Sequence, residues 1–420
     1  MSSIYDVVVI GAGPAGLAAA IEAKKTGAGS VLVIERNNEP GGILLQCIHN
    51  GFGSVMFKKD LPGPSYAHLY AKQAHDAGIE FLYDTMVLDI TPDKKVFATN
   101  SRDGFMEINA RAIVLAMGCR ERTRAQIRIP GSRPSGIFTA GMVQRMVNIE
   151  GFMPGKNFVI LGSGDIGMIM ARRLTIEGAK VHKVVELLPY LTGLRRNYVQ
   201  CLQDFGIPLS LSTTIKRIIG KKRVEAVETV KVDESLNQIE GSEELIQCDS
   251  LLLSVGLIPE NELSKKAGIA LDPLTGGPLV DDSMATNVEG IFAAGNVVTI
   301  YDLVDYVSIA GAKAGKSAAE FSKSGAKQRD YIRLIPAENI RSVVPAFIDK
   351  TSQETTLIEL RVTREFASKM KVEFSDENGI ADSYIQKYAR PAEMITLKVK
   401  PAELAVKSSG SELKLNAVEL

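Results

Sequence analysis

The residues of this chain best equipped for chemistry fall into two matching sets. One is Gly11-Ala12-Gly13-Pro14-Ala15-Gly16 with Glu35; the other is Gly162-Ser163-Gly164-Asp165-Ile166-Gly167 with Glu186. In both sets the acid follows the third glycine by 19 residues (35 − 16 and 186 − 167). The first glycine of such a turn permits the tight bend. The second lets backbone approach a pyrophosphate, and the third lets the following helix lie close to the sheet. The helix N-terminus offers free N–H groups and a positive dipole to phosphate. An acid at that distance can accept from a ribose 2′-OH. The spacing therefore predicts two dinucleotide sites. The bland alternative is a pair of glycine-rich turns in unliganded α/β domains.

A second kind of chemistry is available to Cys47 and His49, in Gly41-Gly42-Ile43-Leu44-Leu45-Gln46-Cys47-Ile48-His49-Asn50-Gly51-Phe52-Gly53. A thiol there could cycle through sulfenic acid if it is exposed and its pKa is lowered. His49 could relay a proton. The alternative is a small buried apolar residue beside a satisfied polar one. The other cysteines are Cys119, Cys201 and Cys248, and no C-x-x-C occurs. That usage fits a reduced, cytoplasmic protein.

The elements that must position these groups are legible. Val7-Val8-Val9-Ile10 precedes the first turn, and Val31-Leu32-Val33-Ile34 ends on Glu35. Phe158-Val159-Ile160-Leu161 and Val181–Val185 repeat the arrangement around the second turn. Ala112-Ile113-Val114-Leu115-Ala116-Met117-Gly118 and Leu251-Leu252-Leu253-Ser254-Val255-Gly256 each read as a strand closing on glycine, where the chain can approach a ligand. Residues 120–157, rich in Pro and Gly, are expected to be a crossover. Gly220-Lys221-Lys222-Arg223 reads as a solvated hairpin tip, and 302–321 as a helix whose small residues pack closely on a neighbour. Ala310–Ser317 imitates a phosphate-binding P-loop, but it lies inside that helix with no strand before it. Residues 331–420 read as half-buried strands. The expected fold is α/β, with two Rossmann-like domains and a small β-rich C-terminal domain. The expected bounds are 1–120 with 282–330, then 151–281, then 331–420.

Composition narrows the class. The chain has 420 residues, 45% hydrophobic and 23% charged, with 49 Lys plus Arg against 49 Asp plus Glu. That balance gives no reason to expect a nucleic-acid partner. No apolar run reaches the roughly 20 residues that span a bilayer. The first strand starts within the first ten residues, so no signal peptide is expected.

Glu186 repels a 2′-phosphate, which favours NAD(H) over NADP(H) at the second turn, although Arg195 and Arg196 follow shortly after. Together, Gly11–Gly16 with Glu35, Ala116-Met117-Gly118, Gly162–Gly167 with Glu186, Gly256 and Gly290-Ile291-Phe292-Ala293-Ala294-Gly295-Asn296 resemble the pyridine nucleotide-disulfide oxidoreductase superfamily, over residues 4–322. The resemblance implies FAD on the first unit, with Gly11, Gly13, Pro14, Ala15, Gly16, Glu35, Arg36, Gly42, Val87, Ala116, Gly118, Gly295 and Asn296 as contacts. It implies NAD(H) on the second, with Gly162, Gly164, Asp165, Ile166, Gly167, Glu186 and Gly256. The family's usual aspartate at position 296 is here Asn296, which keeps a hydrogen bond but loses the charge. The family's cysteine pair and its histidine–glutamate pair are absent.

Gln46–Gly53, Gly118–Arg124 and Asp302-Leu303-Val304-Asp305 look like a subgroup that accompanies a bacterial glycerol-3-phosphate dehydrogenase, and resemble members of amine- and opine-oxidising complexes. The resemblance implies an FAD-dependent NAD(H) oxidoreductase that passes hydride between NADH and flavin. Electrons would be exchanged with a partner flavoprotein dehydrogenase or a small acceptor; a homo-oligomer is the other expected association. One alternative is a single-cysteine NADH peroxidase or oxidase using Cys47. Another is an assembly component docking through Arg120, Arg122, Arg124 and Arg128 and the C-terminal domain. No metal site is expected.

Overall fold

Val7 to Ile10 are β-branched residues in an unbroken run, so both faces of their strand must be covered. In the computed structural model, which describes residues 4–408 and 410–420, all four are buried. The strand Ile4–Ile10 pairs in parallel with Val31–Ile34 on one side and with Gly104–Leu115 on the other, Val9 lying opposite Val33 and Val114. Glu80–Leu82 extends the sheet beyond Val31–Ile34, and Ile291–Ala293 joins it in parallel against Ile113–Leu115. An antiparallel arm, Met86–Ile90 and Lys95–Asn100, completes it. The helix Pro14–Lys25 follows the first turn and packs against the helix Val304–Ser324. Gly311 and Gly315 permit that approach: a Cβ on either would stand 2.2 Å from the Ala15 carbonyl oxygen or 2.0 Å from that of Ala19. The small residues of this helix are therefore a packing face, and the P-loop imitation lies wholly within it.

Contacts divide the chain into two compact units, Arg120–Ile258 and the remainder. Arg120–Ile258 repeats the opening plan. Asn157–Leu161 lies between Lys180–Val185 and Ser250–Leu253, all parallel, with Leu209–Ser210 and Ile137–Thr139 at the edges. A three-stranded antiparallel sheet, Thr213–Ile219, Ala226–Lys231 and Glu244–Gln247, accompanies it. Gly220–Arg223 joins the first two of these strands, as a hairpin tip should.

Two expectations need correction. Residues 120–157 are more than a crossover: they supply the edge strand Ile137–Thr139 and the helix Ala140–Asn148, whose Ala140 and Val143 are fully buried. The flanking Pro and Gly positions hide this short apolar period. Residues 259–281, expected in the second domain, fold with the first unit. The Asn261 amide donates to the carbonyls of Gly276 and Val297, and Lys266 donates to the carbonyl of Leu88.

The C-terminal region is β-rich, with one short helix, Pro401–Lys407. It forms a five-stranded and a three-stranded sheet around a core of its own that includes Ile358, Leu360, Phe366, Phe374 and Leu415. Asp281 joins it to the flanking chain, accepting from Arg329 and from the Tyr331 hydroxyl, each at 2.7 Å. Among the described residues no helix is long and apolar enough to cross a membrane.

Candidate functional site

The first glycine turn is built as its spacing requires. Gly11 has φ +103°, and a Cβ there would stand 2.5 Å from the Ala116 carbonyl oxygen. A Cβ on Gly16 would collide with the Gly11 carbonyl oxygen at 1.8 Å. Gly13 differs: nothing lies within 4 Å of its Cβ position, so the turn leaves a cradle above the helix N-terminus. Pro14 opens that helix, where the missing N–H costs nothing. These features fit a dinucleotide pyrophosphate. In the second turn Gly162 also has φ +103°, and its Cβ would meet the Ser254 carbonyl oxygen at 2.0 Å. Gly167 is closed in by the Gly162 carbonyl oxygen at 2.7 Å. The match between copies extends to the strand end each turn leans on, Ala116 in one and Ser254 in the other.

Each acid locks its own turn. Glu35 Oε2 accepts from the Ala12 amide at 2.8 Å, and Glu186 Oε2 accepts from the Ser163 amide at 2.8 Å. Ala12 and Ser163 hold the same place in the two copies. The other oxygen holds the chain just beyond, where Glu35 Oε1 accepts from the Asn37 amide and Glu186 Oε1 from that of Leu188. Glu186 also accepts from the Ser163 and Thr192 hydroxyls. Both carboxylates are 5% exposed. Charge-assisted bonds of this kind are stronger than neutral ones. Each acid thus fixes the shape of its own turn by taking one of the turn's N–H groups, and its buried charge disfavours a further phosphate nearby.

The other expected positions are placed as follows. Gly42 lies against the first turn, with its Cβ position 3.0 Å from Gly13 Cα. Gly118 has φ +73° and open space beside it; Gly295 has φ +78° and faces Ala15. Asn296 Oδ1 accepts from the Tyr301 amide at 3.2 Å, and its Nδ2 donates to Cys119 Sγ at 3.6 Å. Ala116 and Val87 are buried, whereas Arg36 is exposed. In the second unit, Asp165 Oδ1 accepts from the Leu194 amide and from Asn197 Nδ2. Ile166 is half-buried on the first helical turn, and the Gly256 carbonyl accepts from the Arg122 amide.

Cys47 does not meet the condition set for redox work. It is 6% exposed, and its thiol donates to the Ile43 carbonyl at 3.3 Å. His49 Nδ1 lies 2.9 Å from the Asn50 carbonyl oxygen, and its ring packs on Phe52. Cys201 and Cys248 are buried, and burial pushes each thiol up to about 11. Among the described residues no group of three His, Cys, Asp or Glu side chains could hold a metal ion.

A family described as pyridine nucleotide-disulphide oxidoreductase matches residues 5–315. The chain belongs to this family. Its members are FAD-dependent oxidoreductases that work with NAD(P)H. An opine oxidase subunit of Agrobacterium tumefaciens (strain Ach5) is 27% identical over 75% of this chain and 64% of that protein. The match therefore spans less than two thirds of the opine oxidase protein. Thioredoxin reductase of Listeria innocua is 29% identical over 70% of this chain and 86% of the relative. Among solved structures, that of T. acidophilum thioredoxin reductase superposes with a TM-score of 0.62 at 25% identity, covering 76% of this chain and 99% of the other.

The roles of one motif residue, Asp305, and of one further residue, Tyr83, were not foreseen from the sequence. Asp305, completely buried, accepts from the Gly53 amide at 3.2 Å and the Met56 amide at 2.9 Å. It ties the loop after Cys47 to the start of the helix Val304–Ser324, where a negative charge is favoured. An acid at a helix start was the available signal. Tyr83 has a buried hydroxyl with no hydrogen-bond partner, and burial together with the Glu35 charge pushes its pKa up. Nothing in the sequence marked it.

Proposed function

We propose that this chain is an FAD-dependent NADH oxidoreductase that exchanges electrons with a partner flavoprotein dehydrogenase. The observation that carries the reading is the duplicated lock, in which Glu35 holds the Ala12 amide and Glu186 the Ser163 amide, each at 2.8 Å. Two pre-set turns on one chain suit two dinucleotides. FAD, when bound, supplies the hydride-accepting ring. The chain's own residues bind and orient. Gly11, Gly13, Pro14, Ala15, Gly16, Glu35, Gly42, Gly118, Gly295 and Asn296 are proposed to hold FAD, with Arg36, Val87 and Ala116 flanking it. Gly162, Gly164, Asp165, Ile166, Gly167, Glu186 and Gly256 are proposed to hold NADH, and the Glu186 charge selects it over NADPH.

The similarity to a protein named as one component of an opine oxidase supports a partnered role. A glycerol-3-phosphate dehydrogenase is the partner we propose, in keeping with the motifs Gly118–Arg124 and Asp302–Asp305. The buried thiol of Cys47 argues against the peroxidase alternative. The test is kcat/KM for NADH and NADPH in the FAD-loaded chain, alone and with the purified dehydrogenase. The proposal expects NADH to be preferred and the dehydrogenase with its substrate to reduce NAD through the chain. Equal use of the two nucleotides contradicts the Glu186 assignment. Failure of the mixture to reduce NAD contradicts the partner.

A further inference from the structure

The C-terminal β region lies beyond residue 315, where the family match ends. It nevertheless grips the segment that follows Asn296. Glu359 and Arg361 sit two apart on the strand Thr356–Val362, hence on one face of it. Arg361 donates to the Ile300 carbonyl at 3.0 Å, to the Asp302 carboxylate, and to the Ala392 carbonyl at 3.0 Å. The second Asp302 oxygen accepts from the Met394 amide at 2.6 Å. Residues 300 and 302 are thus held from the C-terminal region. Between them, Tyr301 inserts its ring into the core of the first unit. Its hydroxyl is buried with no hydrogen-bond partner, and burial, with the Glu359 charge adding, pushes its pKa up. Its N–H donates to Asn296 Oδ1 at 3.2 Å.

We propose that Glu359 and Arg361 are positioning residues for the flavin site, acting through Tyr301 and Asp302 on the side chain of Asn296. The proposal rests on the reading of Asn296 as a flavin contact. It gives the added domain a task within the redox unit itself. Arg361 supplies a fixed, planar fork that a lysine cannot reproduce. Glu359 supplies an adjustable charge. Its surroundings are Tyr301, Asp302 and Arg361, with Lys313 of the helix Val304–Ser324; its cross-strand neighbours Val344 and Thr396 are uncharged. Burial pushes the Glu359 carboxyl up to about 7, with Asp302 adding to the rise and Tyr301, Arg361 and Lys313 opposing it. Its charge therefore changes near neutrality, opposite the Tyr301 hydroxyl.

The experiment is a pH titration of the visible absorbance of the FAD-loaded full chain, with bound FAD counted in parallel. In the wild type the flavin band shifts in one step near pH 7. Glu359→Gln and Tyr301→Phe each abolish the step while FAD stays bound; Tyr301→Phe, the milder change, decides the matter if Glu359→Gln fails to fold. Arg361→Lys keeps the step but releases FAD about tenfold faster, the loss expected of one charge-assisted bond. A flat wild-type titration, or an unaltered step in both variants, overturns the proposal. A wild-type chain that takes up no FAD overturns the flavin reading beneath it.

Discussion

Glu186 has two tasks that mutation can separate. Its shape and acceptor capacity hold Ser163, Thr192 and Leu188; its charge is the part proposed to select NADH. Glu186→Gln keeps an acceptor and removes the charge, so the NADH to NADPH ratio of kcat/KM should fall by about tenfold, near 1.4 kcal/mol. Glu186→Ala leaves buried donors unmatched and should destabilise Arg120–Ile258 by roughly 2 kcal/mol or more, read as an earlier melting transition. Cys47→Ser should leave NADH turnover within about twofold, because the thiol is buried and bonded to Ile43. A large loss of peroxide turnover in that variant would revive the cysteine mechanism. The glycines and acids were legible because their spacing is local. The tie that Asp305 makes was not, because the amides it accepts from lie 249 and 252 residues away. The lock on Ala12 and Ser163 was hidden for a related reason: spacing places the acid near its turn without saying which atom it meets.

At the scale of elements, the helices Pro14–Lys25 and Val304–Ser324 meet through glycine. Gly315→Val would drive a branched side chain into the Ala19 backbone and should prevent FAD uptake, measured as flavin per chain; Gly315→Ala should cost about 1–3 kcal/mol. The sequence showed that face through its density of small residues, although not which helix it met. Glu359 gives the C-terminal region a pH dependence of definite sign. Its carboxyl rises from an ordinary 4.5 to about 7 on folding, so the folded chain holds the proton more tightly. Stability should therefore fall as pH rises from about 4.5 to 7, by on the order of 3 kcal/mol, and level off above. Asp282, raised by burial to about 6, acts with the same sign. Glu359→Gln should melt higher than the wild type at pH 8 and similarly at pH 5. Alternation of apolar and polar residues made the C-terminal strands readable. The strand Ile137–Thr139 escaped notice because three residues between turns are too few to show a period.

The molecule as a whole repeats one design, strand, glycine turn, helix and acid-tipped strand, in two separate units. The fold class followed from that repeat because the turn and its acid lie within one contiguous βαβ stretch. The unit boundary did not, since residues 259–281 join the first unit through side-chain bonds that no local pattern announces. The central claim is that both turns serve one redox chain, flavin on the first and NADH on the second. Anaerobic addition of NADH to the FAD-loaded protein tests it most directly, followed as flavin absorbance at about 450 nm. The account predicts prompt bleaching, with Glu186→Ala requiring far more NADH. A flavin band that stays unchanged at saturating NADH would contradict it.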